Sequence, residues 1–145
     1  MKMKMKKQKI LICMLALVLM LANAFVGLAQ SIEGTWIYEN EQAGRSFSIK
    51  IWLEGDTLYG SHSAAARQGA RIDSSEGEIS LKGVRQKNAR EGSEYYLVKW
   101  QSSYSDASGD AWIIFRDGTA RWQIDDTFQE GEHYFPQEAL LQRQE

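Results

Sequence analysis

Between Ile32 and Ile124 segment after segment of this chain places apolar residues at alternate positions, and no window from Ser31 to Pro136 sustains a 3.6-residue repeat. A period of two belongs to a strand with one buried face, because successive side chains leave a pleated strand on opposite sides. The chain is therefore all-β, with helix a minor element at most.

The alternation marks out the strands. Ile32–Tyr38 puts Ile32, Gly34, Trp36 and Tyr38 on one face, and Arg45–Leu53 gathers Phe47, Ile49, Ile51 and Leu53 opposite Ser48, Lys50 and Trp52. Glu54-Gly55-Asp56 reads as a hairpin turn into Thr57–Ala65, where Leu58, Gly60, His62 and Ala64 share a side. From Ala66 to Glu76 the pattern fails, so this segment is expected to be a connection. Ile79–Val84 is a short strand with Ile79 and Leu81 on one face, and Arg85–Ser93, with Arg85, Lys87 and Arg90, is an exposed loop.

Tyr95–Ile124 then reads as strand, polar loop, strand, Asp117-Gly118 turn and strand, and carries Trp100, Trp112 and Trp122. Tyr96, Val98 and Trp100 fall on one face of its first strand. After the acidic run that begins at Asp125 come Glu132–Phe135, an interruption at Pro136, and Glu138–Gln142, which suits an edge strand or a single helical turn. About eight short strands joined by tight turns close most economically into a single antiparallel up-and-down barrel, which leaves no exposed edge. A two-sheet sandwich is the alternative.

The first thirty residues stand apart. Lys2, Lys4, Lys6, Lys7 and Lys9 precede an apolar run from Ile10 to about Ala22 and then small residues, the layout of a secretory signal peptide. Cleavage is expected after Ala24 or after Ala29, the second leaving no apolar residue ahead of the fold. The division is thus a signal peptide over residues 1–29 and a barrel domain over 30–145, with a secreted or periplasmic address. Cys13 lies in the leader and is the sole cysteine, so the exported domain has neither a disulfide nor a lipidated cysteine and is held by burial. With the leader removed, 12 basic face 19 acidic side chains, a net charge of −7. That balance argues against nucleic acid and against membrane association after cleavage, and leaves a basic protein as a suitable partner.

Gly34-Thr35-Trp36 at the start of the first strand resembles the calycin barrels, meaning lipocalins, fatty-acid-binding proteins and avidins, in which the indole plugs one barrel end. The likeness to avidins extends through Ile32-Glu33-Gly34-Thr35-Trp36, Leu58-x-Gly60 and Trp100-Gln101-x-x-Tyr104-x-Asp106-Ala107-x-x-x-x-Trp112. It implies the architecture. It does not imply biotin, because Tyr38, Arg45, His62 and Ala64 stand where an avidin-like pocket holds the ureido group with small polar and phenolic side chains. Gly69-Ala70-Arg71-Ile72-Asp73 and Gly131-Glu132-His133-Tyr134-Phe135-Pro136, with Ala139-Leu140, are similar to small secreted bacterial proteins of unassigned function.

No constellation points to catalysis. Ser102, Ser103, Ser105 and Ser108 lack a Gly-x-Ser-x-Gly context, neither His62 nor His133 has an evident orienting partner, and Asp125 and Asp126 would point apart on a strand. Two histidines with no cysteine beyond the leader are a poor zinc set, and no cofactor is implied. Arg71 and Asp73, two apart, would share a face and pair across a barrel end, or leave Arg71 to take a ligand carboxylate. The expected function is non-enzymatic binding of a small apolar or aromatic ligand. It would enter between Trp100, Trp112 and Trp122, with His62 and Tyr38 as polar contacts and Tyr104, Asp106, Ser108 and Asp110 gathered at the rim. The alternative is a barrel that inhibits a protein, such as a lysozyme or a secreted protease. Cavity size separates the two: an interior filled by Trp36, Phe47, Ile49, Trp100 and Trp122 has no room for a ligand.

Overall fold

The computed structural model describes residues 30–125 and 131–145. The expected leader, residues 1–29, lies outside them. Nine strands follow one another: β1 (Gly34–Asn40), β2 (Arg45–Glu54), β3 (Thr57–Ala66), β4 (Arg71–Ser74), β5 (Leu81–Arg85), β6 (Ser93–Gln101), β7 (Ser108–Arg116), β8 (Thr119–Ile124) and β9 (Glu138–Arg143). Every pairing is antiparallel. Eight strands run β1-β2-β3-β5-β6-β7-β8-β9 and close when β9 returns to β1 through Trp36↔Arg143 and Ile37↔Gln142. The fold is the closed up-and-down barrel with one extra strand.

Three sequence expectations change. Glu138–Arg143 is neither a helical turn nor an edge, since it pairs with β8 on one side and β1 on the other, with Ala139 and Leu141 buried. The break at Ala66–Glu76 hides β4, which pairs Arg71–Ser74 with Ser63–Ala66, while β5 pairs with Thr57–Gly60 lower on the same strand. β4 escaped the alternation because its buried position is a carboxylate, Asp73, whereas its apolar residue, Ile72, is 60% exposed. Ile79 does not share a face with Leu81: it is 60% exposed and Leu81 is fully buried, because the strand begins at Leu81 and the preceding segment bulges between β4 and β5.

The core runs the length of the barrel. At the end holding the β7–β8 turn, Trp36 packs on Phe115 with ring centroids 5.2 Å apart, and Phe115 meets the edge of Tyr96 at 6.0 Å. The Trp36 indole donates to Ile32 O at 2.9 Å, fixing the incoming chain across this end. Phe47, Ile49, Ile51, Leu58, Val98 and Trp122 fill the middle with almost no exposure. Each large aromatic buries roughly 150–250 Å². Such a core compensates for the lack of any cysteine beyond Cys13.

Candidate functional site at the stoppered barrel end

The opposite end is bounded by the β1–β2 turn, the β3–β4 turn, the loop 102–107 and the chain entering β9. There the chain folds in on itself. Residues 133–136 turn into the barrel, and Phe135, 3% exposed, packs among Phe47, His62, Trp100 and Trp122 at centroid distances of 5.5, 4.2, 4.8 and 5.6 Å. Pro136 O accepts the Trp122 indole N–H at 2.9 Å, so the stopper is tied to the wall by a directional bond as well as by packing.

Asp73 anchors this arrangement. Its carboxylate, fully buried, faces His62 Nε2 at 2.9 Å and accepts from Ser102 Oγ at 2.7 Å, Ser103 N at 2.7 Å and Tyr134 N at 3.4 Å. These donors come from β3, from the loop 102–107 and from the stopper, which are distant in sequence. Burial alone would raise the carboxyl pKa; the hydrogen bonds from His62, Ser102 and Ser103 outweigh it and bring the group down to about 2. A buried carboxylate is tolerable when its lone pairs are filled in this way.

His62 is held at both nitrogens, with Ser80 Oγ 2.6 Å from Nδ1, and Ser80 in turn reaches Ser75 Oγ at 3.3 Å. This corrects the sequence reading, in which neither histidine had an orienting partner and Asp73 paired with Arg71. Arg71 stays exposed at the start of β4. Serine, imidazole and carboxylate stand in the order of a hydrolytic triad, but Ser80, His62 and Asp73 are 8, 3 and 0% exposed and face the interior network. His133, its ring tilted against Trp100 with centroids 4.7 Å apart, has its pKa lowered by burial, with Asp73 opposing the shift and Arg45 adding to it.

The loop 102–107 is stiffened from within. Ser102 Oγ accepts from Tyr104 N and Ser105 N, Ser102 N donates to Ala107 O, and Ser105 Oγ donates to Glu132 O on the stopper. Tyr104 is 43% exposed and meets the edge of Tyr134 at 4.9 Å. The Tyr134 hydroxyl donates to Glu132, and this bond pushes its pKa up to about 12. An aromatic side chain thus stands out from a braced loop, with Asp106 exposed beside it.

The expected site residues are therefore divided. Trp100, Trp122 and His62 meet in the interior, filled by Phe135, and Tyr38 is half-buried at its margin with its hydroxyl accepting from Asn40. Trp112 does not join them: Ala111 and Ile113 on either side of it are fully buried, so the strand alternation turns Trp112 outward. Tyr104 and Asp106 share the braced loop. Ser108 and Asp110 instead border a groove of about 690 Å³ on the outer wall, where Lys99 Nζ lies 3.0 Å from Asp110 Oδ1. Asp73, Phe135 and Tyr134 organise the end and are not among the expected site residues. Their signal was present in Gly69–Asp73 and Gly131–Pro136, the two stretches set apart by resemblance, which meet where Tyr134 N reaches Asp73.

No family model matches the chain, and no curated protein or solved structure matches it.

Proposed function

We propose that this is a non-enzymatic, calycin-like barrel exported by its leader, which binds a protein partner through the braced loop at its stoppered end, in the manner of an inhibitor. The carrying observation is the packing of Phe135 against Phe47, His62, Trp100 and Trp122. A small apolar ligand between Trp100 and Trp122 would have to displace this ring and break the Trp122–Pro136 bond. The interior residues whose packing separates the two expected functions, Trp36, Phe47, Ile49, Trp100 and Trp122, are all at most 3% exposed. Function then belongs on the outside.

The loop 102–107 suits that role. Tyr104 supplies an amphipathic aromatic anchor of the type that dominates protein interfaces, and its support from Asp73 means little ordering cost on binding. Asp106 on the same loop and Glu132, bonded to Ser105 and Tyr134, set negative charge beside it, which selects a basic partner and speeds encounter at low salt. The burial of Ser80, His62 and Asp73 favours a structural over a hydrolytic role for their relay.

The test is titration of the purified protein against basic lysozymes and basic secreted proteases, with residual activity and binding both measured at low and at physiological salt. Saturable, salt-sensitive binding that is lost in Tyr104→Ala and Asp106→Lys supports the proposal. Binding that survives both substitutions, or its absence across the panel together with tight binding of a small apolar ligand, overturns it.

A further inference from the structure

The outer wall of β5–β7 carries a second surface. Cross-strand register aligns Val84, Leu97 and Trp112 in one outward row and Tyr95 with Ile114 in the next. Val84 is 52% exposed, and the other four are half-buried although they point away from the core. Outward positions of a barrel in water are ordinarily polar, and a contiguous cluster of two aromatic and three aliphatic side chains there marks a contact surface.

Its margin is charged and internally neutralised. Lys99–Asp110 lies beyond the row toward the stoppered end, Arg116–Asp117 at the opposite end and Arg121–Glu138 on the β8–β9 flank, at 3.0, 3.3 and 3.5 Å. On the β3 side Lys82 Nζ sits 5.5 Å from the centre of the Tyr59 ring. An apolar centre inside a polar rim is the anatomy of a protein interface.

We infer that this face is the interface of a homodimer. The occupant is indicated by charge. Each carboxylate of the rim has its own cation, so this wall is close to neutral although residues 30–145 carry a net charge of −7. Two copies repel one another through their acidic surfaces, and this wall lets them approach without that penalty. A basic protein is drawn instead to the Asp106 and Glu132 carboxylates near Tyr104. A two-fold arrangement uses the same patch on both copies, so the apolar rows of one cover those of the other.

The experiment is sedimentation velocity of the purified protein from about 1 to 100 µM, a span in which a dimer of micromolar affinity dissociates on dilution. Trp112→Glu and Val84→Lys, both outward, are measured beside Lys50→Glu on the opposite wall, each with its circular dichroism. The inference expects a dimer for the unaltered protein and for Lys50→Glu, and folded monomers for the other two. A monomer at the highest concentration overturns it, and so does a dimer that persists in both folded variants, because another face then mediates association.

Discussion

The carboxylate of Asp73 accepts the main-chain N–H of Tyr134, 61 residues further along the chain, at 3.4 Å. This one contact joins an extra strand outside the closed ring to the segment that stoppers it. Around it, His62, Ser102 and Ser103 supply the shorter bonds. The closed end thus depends on a single buried charge.

Replacing Asp73 with Ala should therefore destabilise the fold by about 3–5 kcal/mol, as when one partner of a buried charged network is removed and the others are left unsatisfied. Asp73→Asn keeps the shape and part of the acceptor capacity, and should lose less. Chemical denaturation of the two variants checks the order; equal stability of all three proteins would contradict it.

Acid should act in two steps. His133 is held below its ordinary 6.5 by burial, so the unfolded chain takes up its proton first; this part of the stability is complete above pH 6.5 and declines as pH falls below it. Asp73, lowered from 3.8 to about 2, contributes roughly 2 kcal/mol that is whole above pH 4 and lost as pH falls through 2. Melting temperatures across pH 8 to 2 should show both declines, with His133→Phe removing the first and Asp73→Asn the second.

The barrel itself was legible because alternation is a strong signal wherever a strand buries apolar side chains, as in Phe47–Ile49–Ile51 or Tyr96–Val98–Trp100. It failed at β4, where the one buried residue is charged, and at Phe135, whose burial comes from a turn of irregular chain that has no period. Trp112 departs from expectation for a related reason: its sequence neighbourhood groups it with Trp100 and Trp122 around one ligand, whereas the register of β7 puts Ala111 and Ile113 inside. The hydrogen bonds of Asp73 link residues between 11 and 61 positions away, and such pairings leave no local trace in a single sequence.

Phe135→Ala should cost about 3–5 kcal/mol, the range for deleting a buried aromatic ring, because Trp100 and Trp122 lose a shared neighbour and a cavity remains between them. Denaturation with fluorescence detection should show this loss and a red shift in tryptophan emission.

Tyr104→Ala, by contrast, should change stability by no more than about 0.5–1 kcal/mol, since the side chain is exposed and its loop is held by Ser102 and Ser105. A fall in partner affinity at unchanged melting temperature would separate its contact role from the structural role of Asp73.

The most direct test of a filled, stoppered barrel is titration of the unaltered protein and of Phe135→Ala with an apolar fluorescent probe such as anilinonaphthalene sulfonate, following probe and tryptophan emission together. The account predicts no saturable site in the unaltered protein and one site in the variant, with quenching of tryptophan as it fills. Saturable binding by the unaltered protein at one equivalent, with the same quenching, would contradict it.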